Sequence, residues 1–584
     1  MAELWLTNPL DDVFSTSFKE EDSQFNRRTD FKIEVAKNAR ESVQLAIRNG
    51  AVAMLDTSVQ VRIPTEAINC GITFECGAVR LIPALRETVC THKRTMRTNL
   101  PGLLPESIEP APIKIPEYTT RSFFITAETN ENTIPGDYSF EIIVSYIDRT
   151  NYTPEEIVYP LNIRVYDVTL PSTEKSTYNH AQWVNFCGYS PDPEDVMLAE
   201  TNEKIYGIKN FSEEWFTLVE NLAKQMKKER INVVFVPLFS LLNRDIKFDS
   251  NGKYIFDFTL FDRFLDTFME YGSIKYFIGC HLLKQSHQVP GKLSHDYEKT
   301  AKESKLVTWI FEENRELENF AWKFLDDDAA WKHLEMLIRA LYAHLEEIGI
   351  EDRWIQCVSD ECEGEERLAG VRKVYNKIHE WAPNFKTADA THDTSLENYG
   401  TSLDIHIPQL DVHEFNLEKY QEFQRKTDCE VWTYTCLHPK FGYLNRLDDL
   451  QLIATRLLHW YNYLFGATGY LNWAWNLWCY CDEYYSPFSN CSASHHPLDA
   501  WEVLPDVDNL NIFETIRSRQ DASGIEDYEL LTICDAIDHE QTKMLASILI
   551  ARANDFTLDT NTFFRVRSTL FQIVNSFNKE NKNA

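Results

Sequence analysis

Two neighbouring carboxylates, Asp360 and Glu361, follow an apolar run at residues 354–358. A short apolar segment with polar residues only at its end is typical of a buried strand. Two acids at the point where such a strand emerges can act as general acid and general base. The alternative is an acidic helix start, because the helix dipole favours carboxylates there. Residues 364–382 have the apolar spacing of a helix that ends before Pro383.

The spacing of the two acids restricts the chemistry that they can perform. Consecutive residues of a strand point to opposite sides, so the pair cannot easily enclose a sugar from both faces as separated carboxylates do. Both acids can address one face if the chain bends as it leaves the strand. This suits substrate-assisted hydrolysis, in which the 2-acetamido oxygen attacks the anomeric carbon. We expect Asp360 to bind the acetamido N–H and stabilise the oxazolinium ion. We expect Glu361, kept protonated by the neighbouring charge, to act as acid and then base.

The order of elements places this pair in a barrel. From residue 171 onward, strand-like runs alternate with amphipathic helical segments, and eight such units predict a (β/α)8 TIM-like barrel over residues 171–584 with a helical tail from about residue 510. A long segment at residues 282–321 is expected to be a lid or binding loop, or to be disordered. The predicted barrel strands are residues 180–186, 232–237, 275–281, 354–361, 385–391, 403–408, 429–435 and 469–475.

Residues 1–170 predict a separate all-β domain. Several short strand-like runs without a helical period, separated by turn residues such as Gly136, predict a β-sandwich. A linker at residues 167–171 is expected to join it to the barrel, and its expected role is structural or accessory. The predicted strands include residues 42–48, 51–55, 123–128, 138–145 and 157–166.

The ends of the barrel strands predict a sugar pocket around the two acids, because catalytic groups of such barrels lie at the C-terminal ends of the strands. Tryptophan walls suit an acetamido methyl group, and Tyr434 is expected to donate to the acetamido oxygen. Burial in the barrel core is the alternative for each tryptophan, and a structural role is the alternative for each histidine. The predicted substrate-binding residues are Trp183, His281, His392, Trp432, Tyr434, Asn472, Trp473, Trp475, Asn476 and Trp478.

Composition restricts the partners of the chain. Its 584 residues carry a formal charge of −32, which disfavours nucleic acid, and 13% of them are aromatic, which suits both a large core and stacking on sugars. No apolar run is long enough to span a membrane. The N-terminus lacks a secretory signal and the 13 cysteines are scattered, which predicts a cytoplasmic protein, although a removed signal would leave the same pattern. No metal-ligand spacing is present, so no metal or cofactor is expected, and the oligomeric state is not predicted.

Several segments along nearly the whole chain follow one known pattern. They are ARESVQLAIR at residues 39–48, IPGDYSFEIIV at 134–144, VSDECEGEERLAGVRKVYNKIHEWAPNFKTAD at 358–389, GYLNWAWNLW at 469–478 and TIRSRQDASGIEDYELL at 515–531. Together they resemble glycoside hydrolase family 123, the β-N-acetylgalactosaminidases.

The resemblance implies a β-sandwich before a (β/α)8 barrel, and retaining, substrate-assisted release of terminal β-linked N-acetylgalactosamine without metal or cofactor. It gives Asp360 the role of the acetamido-orienting carboxylate and Glu361 that of the acid/base. The expected partner is a glycan, on a glycolipid or as an oligosaccharide, that ends in this sugar. The chain departs from the pattern at Asn472, where His or Arg is common, and at Ser518 and Arg519, where a Trp- or Arg-Glu pair is usual.

Three other interpretations remain open. A β-N-acetylglucosaminidase or broad hexosaminidase would differ only in how it treats the sugar 4-hydroxyl. A metal-dependent barrel hydrolase would use His281, His392, His406 and Asp389, although the first strand lacks the His-x-His pair common in such sites. A non-catalytic glycan-binding protein would have no need of a proton donor such as Glu361.

Overall fold

The computed structural model has a β-rich N-terminal region followed by a closed barrel of eight parallel strands. The predicted order of an all-β region before a parallel barrel is therefore confirmed. The structure describes residues 2–19, 32–50, 52–84, 94–97, 102–188, 195–242, 246–286, 304–311, 320–392, 396, 399–478, 481–483, 486–491 and 499–583.

The N-terminal region consists of two five-stranded sheets that share one apolar core. Its strands are β1 (Ala2–Thr7), β2 (Lys32–Lys37), β3 (Arg40–Asn49), β4 (Met54–Arg62), β5 (Ile72–Ala84), β6 (Gly102–Glu109), β7 (Ile113–Ile115), β8 (Thr120–Thr129), β9 (Gly136–Asp148) and β10 (Thr153–Thr169). The sheet orders are β1-β3-β8-β5-β6 and β2-β10-β9-β4-β7. The strand predicted at residues 51–55 begins later, at Met54, and β10 extends into the predicted linker because its pairing with β2 continues to Thr169.

Buried ion pairs attach this region to the barrel. Strand β3 is buried almost throughout, so its charged residues need partners. Arg40 pairs with Glu514 at 3.0 Å and Glu41 with Arg456 at 2.8 Å, and both partners lie in the C-terminal half of the chain. The two-sheet region is therefore held against the barrel by paired charges as well as by apolar contact.

The remaining strands form the barrel and several small sheets. In chain order they are β11 (Asn179–Gln182), β12 (Val233–Val236), β13 (Lys247–Phe248), β14 (Tyr254–Ile255), β15 (Tyr276–Gly279), β16 (Lys284–Gln285), β17 (Leu306–Phe311), β18 (Phe320–Phe324), β19 (Trp354–Cys357), β20 (Lys386–Thr391), β21 (Ile405–Pro408), β22 (Glu430–Thr435), β23 (Gly469–Asn472), β24 (Cys481–Glu483), β25 (Ser486–Cys491), β26 (Leu504–Asp506), β27 (Asn511–Phe513), β28 (Ile550–Arg552) and β29 (Asp555–Phe556). The barrel order is β11-β12-β15-β19-β20-β21-β22-β23, closed by pairing of β23 with β11.

Each predicted barrel strand is present, but several are shorter than predicted. Strand β11 ends at Gln182, β19 at Cys357 and β23 at Asn472. The apolar pattern continues beyond these ends because the segments that follow are buried too. The predicted site residues after these strands therefore lie on loops at the C-terminal end of the barrel.

Helices surround the barrel and form the C-terminal part of the chain. Within the described residues they are α1 (Asp195–Tyr206), α2 (Glu213–Lys228), α3 (Leu238–Leu242), α4 (Thr259–Thr267), α5 (Asp328–Ile348), α6 (Glu365–Trp381), α7 (Leu410–Phe415), α8 (Leu417–Lys426), α9 (Leu452–Phe465), α10 (Ile516–Ile537), α11 (His539–Leu549) and α12 (Thr560–Asn583). Between β20 and β21 the described residues contain only a 3-10 turn, Gly400–Ser402, so the fifth unit departs from the predicted strand-plus-helix pattern there. None of the described helices has the length and apolar character needed to cross a membrane.

Two other segments differ from the prediction. Part of the segment at residues 282–321 forms an antiparallel sheet of β16, β17 and β18, in which the buried Trp309 packs on Phe239 with ring centres 4.0 Å apart. Helix α10 begins at Ile516, whereas the apolar pattern within the tail predicts its first helix at residues 526–536. It begins earlier because Thr515 and Ser518 form a capping box there.

Candidate active site

A cavity of about 350 Å³ lies at the C-terminal ends of the barrel strands. This volume lies within the range of small-molecule sites. Among its lining residues are five that the sequence predicted, Trp183, Asp360, Glu361, Tyr434 and Trp473. The others are Ala390, Cys436, Leu437, His438, Leu471 and Asp499.

The chain bends after β19, and this bend brings both acids to one cavity. The carbonyl oxygen of Val358 accepts hydrogen bonds from the amides of Leu282 and Leu283, at 3.0 and 2.8 Å. Glu361 then adopts a φ of 44°, in the left-handed region, and its amide donates to the carbonyl of Ala390 at 3.2 Å. A residue other than glycine in this conformation costs about 1 kcal/mol or more, so surrounding contacts must hold it.

The residues beneath the pair fix the end of the strand. The Tyr375 hydroxyl accepts from the Val358 amide at 3.1 Å and donates to the Ala388 carbonyl at 2.9 Å. The Ser359 hydroxyl donates to Oδ2 of the fully buried Asp389 at 2.9 Å. Burial holds the pKa of Asp389 well above its ordinary range. These hydrogen bonds hold the two residues that precede Asp360 and Glu361.

Helix α6 does not include the two acids. It begins at Glu365, and the acids of its first turn are Glu365 and Glu366. Asp360 and Glu361 precede Gly364, whose φ of 87° turns the chain into the helix. The helix dipole therefore explains the acidic residues Glu365 and Glu366. It does not explain why Asp360 and Glu361 are acidic, because they lie outside the helix.

The two carboxylates differ in their tendency to bind a proton. The Asp360 side chain is open to the cavity, yet the surrounding protein reduces its hydration. This desolvation and then the charge of Glu361 raise the pKa of Asp360 to about 7, while the His392 cation lowers it in part. Burial also acts on Glu361, but the ion pair with His392 and the hydrogen bond from Tyr434 outweigh it and lower the pKa of Glu361. The opposite shifts favour a proton on Asp360 over one on Glu361 in the free protein, whereas from the sequence we expect Glu361 to hold it.

His392 and Tyr434 contact Glu361 directly. His392 Nδ1 lies 3.6 Å from Glu361 Oε2, and its Nε2 bonds to Glu363. The contact with the Glu361 carboxylate is the main reason that the pKa of His392 rises to about 9, and Glu363 adds to this rise. The Tyr434 hydroxyl donates to Glu361 Oε1, rather than being free for an acetamido oxygen as predicted. Both predicted residues are thus at the site, as partners of Glu361.

Asp499 is a cavity residue that the sequence did not reveal. It is only 2% exposed, and its Oδ2 accepts a hydrogen bond from Trp473 Nε1 at 3.1 Å. Burial raises the pKa of Asp499 to about 7, although the buried Arg446 and the bond from Trp473 oppose this shift. Asp499 lies far from any barrel strand in the chain, so neither periodicity nor spacing connects it with the pocket.

Three predicted tryptophans are buried away from the cavity, each with its indole N–H bonded inside the protein. Trp432 donates to Glu430 at 3.1 Å, Trp475 to Glu229 at 2.8 Å and Trp478 to the Val503 carbonyl at 3.0 Å. Each is at most 1% exposed. Their predicted contact with substrate is not supported, because the core satisfies both their rings and their N–H groups.

Two predicted asparagines are also structural. Asn472 Oδ1 accepts from Arg446, and its Nδ2 donates to the Thr435 carbonyl at 3.1 Å. Asn476 exchanges two hydrogen bonds with the backbone of Asn185, at 2.7 and 3.1 Å. Both side chains are fully buried, so the structure places them in the scaffold beneath the loops.

His281 packs behind the cavity wall. Its ring meets that of Trp183 edge-on, with centres 5.1 Å apart, and burial lowers the pKa of His281 to about 3. His406 bonds to the Gly400 carbonyl at 2.9 Å. Among the described residues no group of three or more His, Cys, Asp or Glu side chains is arranged to hold a metal ion. Asp393, which also follows the fifth strand, lies outside the described residues.

A parallel barrel with two carboxylates in a cavity at its strand ends is an arrangement that glycoside hydrolases use. A family model described as "Glycoside hydrolase 123, catalytic domain" matches residues 198–534, more than half of the chain. The chain therefore belongs to glycoside hydrolase family 123 and is a glycosidase.

The structural comparison agrees with this family. The fold is similar to that of a family 123 glycoside hydrolase from Clostridium perfringens, studied for the details of glycolipid glycan hydrolysis, with a TM-score of 0.70 and 14% identity over 100% of this chain and 99% of that chain. A GH10 xylanase with a bacterial Ig-like domain, from termite gut, gives a TM-score of 0.31 at 8% identity, over 86% of this chain and 100% of that chain. A search of curated protein sequences finds no match.

Proposed function

We propose that the protein is a retaining exo-glycosidase with a (β/α)8 catalytic barrel, which releases terminal β-linked N-acetylgalactosamine by substrate-assisted catalysis. The observation that carries this proposal is the placement of Asp360 and Glu361 in one cavity on the same loop. An ordinary retaining enzyme sets its two carboxylates on opposite sides of the bond that breaks. Two acids from one loop instead suit a substrate that supplies its own nucleophile.

Asp360 accepts a hydrogen bond from the acetamido N–H in this proposal. Such a donor favours the ionised carboxylate, so substrate binding lowers the pKa of Asp360. The proton that it holds in the free protein is then better placed on Glu361, which is the acid that the reaction needs. The acetamido oxygen attacks the anomeric carbon, the glycosidic bond breaks, and Glu361 gives its proton to the leaving oxygen.

The second half of the reaction reverses the proton transfer. Glu361, now ionised, takes a proton from water as the water attacks the anomeric carbon and opens the oxazolinium ion. His392 supports the first half of the reaction instead, because its cation beside Glu361 stabilises the carboxylate that remains after proton donation. Before the first half begins, when substrate binding has moved the proton to Glu361, Tyr434 can turn its hydroxyl from Glu361 to the acetamido oxygen and align it for attack. Trp473 offers the acetamido methyl group an apolar wall.

The family and the cavity both support the proposed substrate class. The Clostridium perfringens enzyme was studied for the details of glycolipid glycan hydrolysis. We propose glycolipid glycans, or free oligosaccharides, as the substrates of this chain. The cavity accommodates a terminal sugar and its walls are partly aromatic, as pyranose rings require. Release of N-acetylglucosamine is the competing activity. This sugar differs from N-acetylgalactosamine only in the configuration of its 4-hydroxyl.

The test is an assay of the purified protein on the p-nitrophenyl β-glycosides of N-acetylgalactosamine, N-acetylglucosamine and galactose, with and without a chelator. We expect release from the acetamido sugars, with N-acetylgalactosamine preferred, no release from galactose, and no effect of the chelator. Equal cleavage of the galactoside would rule out acetamido participation. Loss of activity with the chelator would favour a metal-dependent hydrolase.

A further inference from the structure

Asp499 has an unused hydrogen-bond acceptor at the cavity. Its Oδ2 accepts from the indole N–H of Trp473, whereas its Oδ1 has no partner with good hydrogen-bond geometry within the described part of the chain. The Leu437 amide is near enough to stabilise the carboxylate but does not form a well-aligned bond with Oδ1. Asp499 is 2% exposed and lines the same cavity as Asp360 and Glu361. A buried acceptor without a partner is unfavourable, and such groups occur where a ligand supplies the missing bond.

A second unused group borders the same cavity. Trp183 Nε1 is buried and lacks a hydrogen-bond partner among the residues that the structure describes, and its ring forms part of the cavity wall. Two residues of the cavity wall therefore each carry a buried polar atom, a carboxylate acceptor and an indole donor, that the described part of the protein does not use. A sugar hydroxyl can donate to the first, and a neighbouring sugar oxygen can accept from the second.

The topology places Asp499 across the cavity from the catalytic pair. Asp360 and Glu361 follow β19, and Trp473, which bonds to Asp499, follows β23. These strands are fourth and eighth in the closed order of eight, so they lie on opposite sides of the barrel. A sugar whose anomeric carbon meets Glu361 thus presents the far side of its ring to Asp499. In a pyranose that far carbon is C4.

We propose that Asp499 is a specificity-determining residue, which accepts a hydrogen bond from the sugar C4 hydroxyl across the cavity from Asp360 and Glu361. The assignment rests on the proposed function, because it takes the orientation of the sugar from it. N-acetylgalactosamine and N-acetylglucosamine differ only in the configuration at C4. Asp499 is therefore the residue through which the cavity distinguishes them.

The test compares the full-length protein and its Asp499→Asn variant on two substrates, p-nitrophenyl β-N-acetylgalactosaminide and its 4-deoxy analogue. Above pH 7, where Asp499 is mostly ionised, loss of the hydroxyl is expected to lower kcat/KM of the wild type roughly 10- to 100-fold, the size of a hydrogen bond to a charged group. In the variant the amide oxygen keeps the bond from Trp473 and the NH2 group takes the place of Oδ1, so the acceptor for the C4 hydroxyl is lost. The 4-deoxy change is therefore expected to cost the variant less than about threefold, since both changes remove one shared contact.

A matched variant separates contact with substrate from support of the cavity wall. Trp473→Phe keeps the aromatic wall and removes only the indole bond to Asp499, so its 4-deoxy factor should stay close to that of the wild type. If Asp499 only holds Trp473 in place, Trp473→Phe and Asp499→Asn will have similar effects. Each variant will then lower kcat/KM by the same factor on the 4-hydroxy and on the 4-deoxy substrate. That result, or a 4-deoxy factor in Asp499→Asn equal to that of the wild type, overturns the assignment.

Failure of the proposed function is distinguishable from failure of this assignment. Calorimetric titration of the wild type and Asp499→Asn with N-acetylgalactosamine and with its 4-deoxy form measures the same coupling without turnover. Coupled losses in binding support Asp499 even if the aryl glycosides are not cleaved. Cleavage by the wild type with independent losses refutes Asp499 alone, and absence of both cleavage and binding refutes the proposed function and the assignment together.

Discussion

The loops after the fourth and the eighth barrel strands lie on opposite sides of the cavity. Their sequences differ in how well they predict which side chains line it. After β19, Asp360 and Glu361 both line the cavity. After β23, Trp473 lines it, but Trp475 and Trp478 are buried in the scaffold. Two adjacent acids cannot be buried without partners, so they indicate a site or a surface. A tryptophan with a bonded N–H is as stable in the core as in a binding wall.

The largest effect is expected from the fourth-strand loop. Glu361→Gln removes the proton donor, so kcat should fall by roughly 10²- to 10⁴-fold. The loss should be smaller for a substrate with a very acidic leaving group, such as a dinitrophenyl glycoside, because its departure needs little protonation. Steady-state kinetics on both glycosides measure this. An equal loss on both would show that Glu361 is not the acid.

Asp360→Asn should have the next largest effect. The amide cannot stabilise the oxazolinium charge, so kcat on acetamido glycosides should fall by about 10²-fold or more. Although its kcat falls, the variant should have a higher free energy of unfolding than the wild type at high pH. The folded-state pKa of about 7 lies above the ordinary value of 3.8, so the wild type loses stability as the pH rises through about 7.

The stability of Asp360→Asn supplies the control for this prediction. The variant should match the wild type at pH 4 and be more stable at pH 8, by roughly 1–2 kcal/mol once solvent in the cavity is allowed for. Urea unfolding at the two pH values measures the difference. A variant that is less stable at pH 8 would show that Asp360 has a structural role.

The eighth-strand loop should separate stability from catalysis. Trp475→Phe leaves the buried Glu229 carboxyl without its indole donor, so the free energy of unfolding should fall by about 1–3 kcal/mol. Its KM should be unchanged, whereas Trp473→Ala should raise KM because it removes a cavity wall. Urea unfolding and steady-state kinetics test both variants. A raised KM in Trp475→Phe would show that Trp475 contributes to substrate binding, contrary to this prediction.

His392→Asn should give the smallest effect, a shift in pH dependence. The acid function needs one proton on the pair, so kcat/KM of the wild type should fall as the pH rises above about 7. The His392 cation lowers the pKa of both Asp360 and Glu361. Its removal should move this decline upward by about one pH unit. An unmoved decline would mean that another group, such as His438, sets it.

The sequence predicted those features that depend on local pattern. The apolar runs located every barrel strand, and the abrupt change to Asp360 and Glu361 pointed to the cavity that holds the candidate site. From the sequence, the bend at Glu361 could be stated only as a condition of the mechanism, because it depends on hydrogen bonds from other loops. The sequence did not predict the contribution of Asp499, which a loop from the last part of the barrel brings to the cavity. Contacts between distant segments decide such positions, and one sequence carries no periodic signal for them.

Acetamido participation is the central claim, and a series of aryl β-N-acetylgalactosaminides with zero to three fluorine atoms on the acetyl group tests it most directly. Fluorine withdraws electrons from the amide oxygen and weakens it as a nucleophile, while the leaving group stays the same. The predicted result is a kcat/KM that falls steeply with each fluorine. Rates that do not change across the series would contradict the account, because they would show that the nucleophile belongs to the enzyme.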